Sequence, residues 1–246
     1  MSSQDKIIGR SAYLTGEFDF GKLEKALKIL SGNFKASVLI DVGANIGTIS
    51  IPAIKRNIFG SAVAIEPEPF NYGLLVANIH INGLASKIRS YNVALGARDD
   101  EEIGFELSNN NFGDHRIKIS GKDGAFNESS RKNIKVNSET FDKIIGNVDP
   151  LKTLIWIDTQ GFEGYVLAGA AKTLKKHTPM VIEFWPYGMT RSGSYPSLKK
   201  SILGAGYKAF YDLDTASAPI DISETSLDEL YHRLGESGKY TDLLIW

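Results

Sequence analysis

The chain contains no cysteine among its 246 residues. Disulfides, thiolate metal sites and cysteine nucleophiles are thereby excluded, and a reducing compartment is compatible with the composition. An excess of either charge is also missing: the formal net charge is −1. Composition therefore gives no electrostatic reason to expect nucleic acid or an anionic membrane as partner. No uncharged apolar run approaches the ~18–20 residues of a membrane span. The opening segment MSSQDKIIGR is polar and lacks the apolar core of a signal peptide. Together these absences lead to the expectation of a soluble, cytoplasmic protein. Repeats, low-complexity tracts and clear linkers are lacking too, so a single domain over 1–246 is expected, with 1–35 as an N-terminal helical extension.

What is present is an alternation of strand-like and helical runs. SVLIDV reads as a buried strand, followed by helical spacing in IGTISIPAIKRNI. SAVAIEP and PFNYGLLVANIHING repeat the unit, with Asn82-Gly83 as the helix stop, and KIRSYNVALG reads as a third strand. LIWIDTQG, MVIEFW and the terminal TDLLIW supply further strands, the last plausibly antiparallel. Such alternation implies parallel strands covered by helices on both faces. Residues 99–137 break the rhythm: they are polar, and alternation in IGFEL and HRIKIS predicts antiparallel strands or a β-hairpin inserted after the third strand. Long insertions usually carry function, so this one is expected to cover the substrate site, with its tip around Lys122–Lys132. SETFDKIIG predicts a helix capped by Ser138 or Thr140, and FWPYGMTRSGSYP a loop after the fifth strand.

The segment VLIDVGANIGTIS carries the strongest signal. Asp41 ends a strand, Gly43 can adopt angles forbidden to a β-carbon, and Gly47 lets the following helix approach. Glu66 ends the second strand about 20 residues after Gly47, the offset at which an acid accepts hydrogen bonds from a ribose diol. Asn45 stands where the dinucleotide fingerprint needs its second glycine. A ribose-bearing ligand without a pyrophosphate fits better, and S-adenosylmethionine (SAM) is the common one. The alternative is that both acids merely cap the helices that follow them.

With IDVGANIG, AIEPEPFNYGLLVANI, NVALG, WIDTQGFEGYVLAGA and VIEF in this order, the chain resembles the FkbM family of SAM-dependent methyltransferases. The resemblance implies a Rossmann-like class I methyltransferase fold with a mostly parallel seven-stranded sheet. It implies an O-methyltransferase of the EC 2.1.1 class acting on a hydroxyl of a sugar, glycan or polyketide-type molecule. Carried over by residue, the SAM turn falls on Asp41, Gly43, Asn45 and Gly47 and the ribose acid on Glu66, with Pro67 beside the ribose. Asn92, Val93 and Ala94 fall where this fold places the adenine.

Methyl transfer needs an acceptor placed in line and a hydroxyl proton removed. Asp158 and Glu183, at the ends of the fourth and fifth strands, are candidates for that work, although Asp158 could instead cap a helix. His115 is the most attractive general base, because histidine titrates near neutrality; a solvated hairpin histidine is the alternative. Asp114 and Arg116 could orient a polyol, and Trp185 and Tyr187 could wall a sugar ring or simply pack. No metal is expected. Two other readings stay open: an NAD(P)-dependent Rossmann oxidoreductase, and a SAM-binding module that acts by interaction alone.

Overall fold

The computed structural model describes residues 19–32, 34–109, 111–118, 124–126 and 128–246. The opening segment, part of the N-terminal extension and part of the insertion tip lie outside the described residues.

Apolar runs dominated by β-branched residues form the centre. β1 (Val38–Val42) pairs in parallel with β2 (Ser61–Ile65) on one side and β8 (Thr153–Ile157) on the other. β3 (Ile88–Tyr91) extends the sheet beyond β2, and β9 (Met180–Phe184) beyond β8. β12 (Thr241–Ile245) runs antiparallel to β9, followed by β10 (Ala209–Asp212) and the short β11 (Ile220–Asp221). The order β11-β10-β12-β9-β8-β1-β2-β3 makes an 8-stranded sheet. The seven expected strands are thus joined by β11 at the edge, where a two-residue pairing suffices. The chain winds outward in opposite directions from β1 and β8, which opens a crevice at their carboxyl ends.

Period-two alternation splits the core into two layers. Leu39, Ala62, Trp156 and Val181 face one layer, closed by α1 (Phe20–Ile29), α2 (Ser50–Lys55) and α3 (Pro69–Ile81). Phe20, Leu23 and Ala26 recur at helical spacing and are the buried stripe of α1. Ile40, Val42, Ile155 and Ile182 face the other, against α5 (Glu163–Ala168), α6 (Ala171–Leu174) and α8 (Tyr195–Ala205). α9 (Glu224–Leu234) buries Leu227 and Leu230 in that layer, behind a Ser223 capping box.

Several local expectations are refined. KIRSYNVALG is two strands, because β3 ends at Tyr91 and β4 (Ala94–Gly96) leaves for a second sheet. The insertion is more than a hairpin: β5 (Glu101–Leu107) pairs with β6 (Arg116–Ile117) and also with β7 (Lys132–Thr140), giving a 4-stranded sheet in the order β4-β7-β5-β6. Ser138 therefore lies in a strand. The helix α4 (Phe141–Ile145) starts only after Thr140, whose side chain accepts from the Lys143 amide. The expected loop after β9 contains α7 (Pro186–Ser192), with Pro186 in its first turn and Gly193 at its end.

Candidate active site

β1 ends in a turn pressed hard against the end of β8. Gly43 has φ +84°, and a Cβ there would lie 1.8 Å from the Asp158 carbonyl oxygen, so only glycine fits. Asn45 follows at φ +50°. Asp41 is buried, and its Oδ2 accepts from the Ser50 amide at 3.1 Å, so this acid does cap α2. Glu66, immediately after β2, accepts from the Asn45 and Glu68 amides, each at 2.9 Å. Burial pushes Asp41 up to about 7 and Glu66 up to about 8.

The ends of β1, β2, β8 and β9 open on one cavity of about 310 Å³, within the size range of small-molecule sites. Asp41, Gly43, Asn45, Glu66, Pro67, Val93 and Ala94 all line it. Gly47 lies behind the turn, where its missing side chain admits Ile51 and Leu75. Asn92 is directed elsewhere: its Nδ2 donates to the carbonyls of Glu66 at 2.9 Å and Pro67 at 3.0 Å, bracing the strand ends from outside. Ile65, Leu95, Phe105 and Ile117 supply an apolar wall, the last three from the small sheet.

At the other end stand Asp158, just past β8, and Glu183 in β9. Gln160 lies between them, its Nε2 2.8 Å from Asp158 Oδ1 and 3.2 and 3.0 Å from the two Glu183 oxygens. Burial pushes Asp158 up to about 6. Burial, reinforced by the neighbouring charge of Asp158, raises Glu183 well above the usual carboxylate range. Both carboxyl groups are thus biased toward their protonated forms, each by its own burial. Asp242 faces Glu183 across the β9–β12 register and is ion-paired with Lys22 of α1. Asp19, Tyr240 and Asp242 complete this end of the cavity. No sequence pattern marks these three, because they meet the strand ends only through α1 and the chain leading into β12.

His115 and Asp114 line the cavity, as does Trp185. The Ser108 amide donates to His115 Nδ1 at 2.9 Å. A neutral ring with this contact carries its hydrogen on Nε2. Arg116 and Tyr187 lie outside the wall. Arg116 is buried with its Nε 3.2 Å from Glu106, and its Nη2 lies 3.2 Å from Glu128 and 3.5 Å from Asp114. Tyr187 donates to Glu128 at 2.9 Å and accepts from the Ala125 amide at 2.7 Å. With Arg131 on Asp114 and Arg191 2.7 Å from Glu128, these groups latch the insertion to α7. Glu163, at the start of α5, accepts from the Thr159 and Gly161 amides and is a helix-start residue. Among the described residues, no group of three or more His, Asp or Glu side chains is arranged to hold a metal ion. Nor is any helix among them long and apolar enough to cross a membrane.

A doubly wound sheet with a glycine turn after its first strand, an acid after its second and carboxyl groups at the ends of its fourth and fifth defines a Rossmann-like methyltransferase domain. The family model for the methyltransferase FkbM domain matches residues 41–232, and the chain belongs to that family. Among solved structures, methyltransferase FkbM of Methylobacillus flagellatus KT is similar at 17% identity and TM-score 0.50, over 86% of this chain and 44% of that one. The chain thus spans less than half the length of that protein. Sp1610 of Streptococcus pneumoniae, solved with S-adenosyl-L-methionine, aligns at 14% identity and TM-score 0.43, over 90% of this chain and 71% of that one. The tRNA methyltransferase TrmK of B. subtilis aligns at 10% identity and TM-score 0.44, over 90% and 64% respectively. No curated protein matches the sequence.

Proposed function

We propose that the chain is a SAM-dependent O-methyltransferase for a neutral, hydroxyl-bearing small molecule such as a sugar, glycan or polyketide. One observation carries this reading: a single cavity joins the Gly43 turn and Glu66 to the Asp158–Gln160–Glu183 group. The close-pressed glycine turn and the buried acids suit a cationic adenosyl donor. When bound, SAM supplies an electrophilic methyl group on a good leaving group. The protein's residues then have to orient the acceptor and take its proton.

In this reading Glu66 accepts from the ribose diol through its remaining lone pairs, and Val93 and Ala94 flank the adenine with the apolar wall. Asp158 takes the hydroxyl proton, its raised value lying close to the operating range of a general base. Glu183 and Gln160 fix the acceptor oxygen, His115 donates to a neighbouring oxygen, and Asp114 and the Trp185 ring hold the rest of the molecule. No Lys or Arg is among the described residues lining the cavity. That absence favours an uncharged acceptor over a nucleic-acid backbone, which basic side chains would be needed to grip. A cytoplasmic location accords with the lack of cysteine.

Calorimetry with SAM, NAD and NADP tests the donor, and transfer of a tritiated methyl group into a panel of sugars and polyketides tests the acceptor. Binding of SAM alone and labelling of a hydroxyl are expected. Binding of NAD or NADP in place of SAM overturns the reading in favour of an oxidoreductase. SAM binding without transfer to any hydroxyl acceptor, in the panel or in cell extract, points to an interaction module.

A further inference from the structure

Asn71 lies within the AIEPEPFNYGLLVANI block with no role assigned to it so far, yet it occupies a singular place. It sits in the first turn of α3, is 1% exposed and lines the cavity beside Glu66 and Asn45. Its Nδ2 donates to the Phe112 carbonyl at 3.0 Å, and Asn45 Nδ2 donates to the same oxygen at 2.9 Å. A carbonyl can only accept, so this contact fixes which end of the Asn71 amide is which. The other end, Oδ1, is buried and has no hydrogen-bond partner among the described residues. A buried amide oxygen without a donor is costly, and natural sites that keep one usually complete it with a ligand or water.

We propose that Asn71 is a further cofactor-binding residue that ties the methyl donor to the loop covering it. Its Oδ1 accepts a hydrogen bond from the adenosyl group while its Nδ2 holds the segment 111–115. This rests on the reading that the cavity binds SAM, and it adds a consequence for order of binding. The segment carries Asp114 and His115 on the cavity wall, and the Phe112 ring packs edge-on against Phe70 at 6.1 Å and at a tilt against His115 at 5.3 Å. A donor that engages Oδ1 immobilises the amide and through it the Phe112 carbonyl. The acceptor-facing groups are thereby set before the acceptor arrives, so donor and acceptor bind with positive coupling.

The test uses S-adenosylhomocysteine, the demethylated product, as an unreactive probe. Calorimetry gives its affinity, and amide hydrogen exchange reads protection over 111–115 with and without it. Wild type should bind and gain protection there. Asn71→Leu, nearly isosteric but without polar atoms, should bind at least tenfold more weakly and gain none. Asn71→Asp keeps the acceptor oxygen but cannot donate to Phe112; it should bind within about threefold of wild type with 111–115 left unprotected, and it carries the test if Asn71→Leu does not fold. Equal affinity in Asn71→Leu and wild type overturns the cofactor contact, as does an Asn71→Asp variant as weak as Asn71→Leu. Unchanged protection in a weakened Asn71→Leu variant overturns the coupling. Failure of the wild type to bind the probe overturns the SAM reading as well, which separates the two failures.

Discussion

Asp41 and Glu66 are carboxyl groups that burial holds near protonation while backbone amides partly compensate them. For Asp41, the folded value of about 7 stands against an ordinary 3.8. Between those values the folded protein retains a proton that the unfolded chain releases, so its contribution to stability falls as pH rises across that window. Asp41→Asn keeps an acceptor for the Ser50 amide and removes the titration. In thermal melts of the unliganded protein, the variant should equal wild type near pH 4 and exceed it at pH 8, by about 2–4 °C for each kcal/mol gained. Glu66→Ala, read by calorimetry at a pH above the Glu66 value of about 8, where the carboxyl group is ionised, should weaken SAM binding by about 1.5–3 kcal/mol, the worth of a hydrogen bond to a charged group. The proton acceptor is separable from its neighbour by pH profile. Turnover should rise with pH through about 6 as Asp158 ionises. His115→Ala should lower turnover at unchanged SAM affinity and keep that ascending limb, whereas Asp158→Asn should abolish it. A limb lost in His115→Ala would return the base to histidine.

Elements, more than single residues, decide which groups reach the cavity. The small sheet brings Phe105 and Ile117 to the apolar wall through the antiparallel register of β5 with β6 and β7. Its far side is held to α7 through Glu128, which meets Arg116, Arg191 and Tyr187 together. Buried ion pairs add little over a well-packed apolar substitute, but removing one partner strands the others. Glu128→Ala should therefore cost about 3–5 kcal/mol in urea denaturation. Arg116 was expected to hold a polyol because it follows Asp114 and His115 in sequence. In a strand, adjacent side chains point to opposite faces, and that parity sends Arg116 into the latch.

On the scale of the whole molecule, opposite winding from β1 and β8 creates the crevice, and residues at the starts of α1 and β12 complete it. Asp19 before α1 and Tyr240 and Asp242 near the C-terminus reach the cavity beside Glu183. The result is an end of the cavity rich in carboxylates with no Lys or Arg on its described walls. A phosphorylated sugar should accordingly accept methyl far more slowly than its uncharged parent, at equal concentration in the tritium assay. Preference for the phosphorylated form would count against the electrostatic reading of the acceptor.

The amino-acid sequence by itself determined the strand–turn–helix units and the acids at their junctions. Asp41, Glu66 and Asp158 are placed by local backbone preferences and apolar periodicity, which a short window carries. Only the tertiary structure decided the split of KIRSYNVALG between two sheets, the retreat of Arg116, Tyr187 and Asn92 from the cavity, and the arrival of Asp19, Asn71 and Asp242. Those outcomes depend on which distant strands pair and in what register, and a one-residue shift of register exchanges the two faces of a strand. Pairing energy of that kind is summed over contacts far apart in the chain, so no local pattern records it.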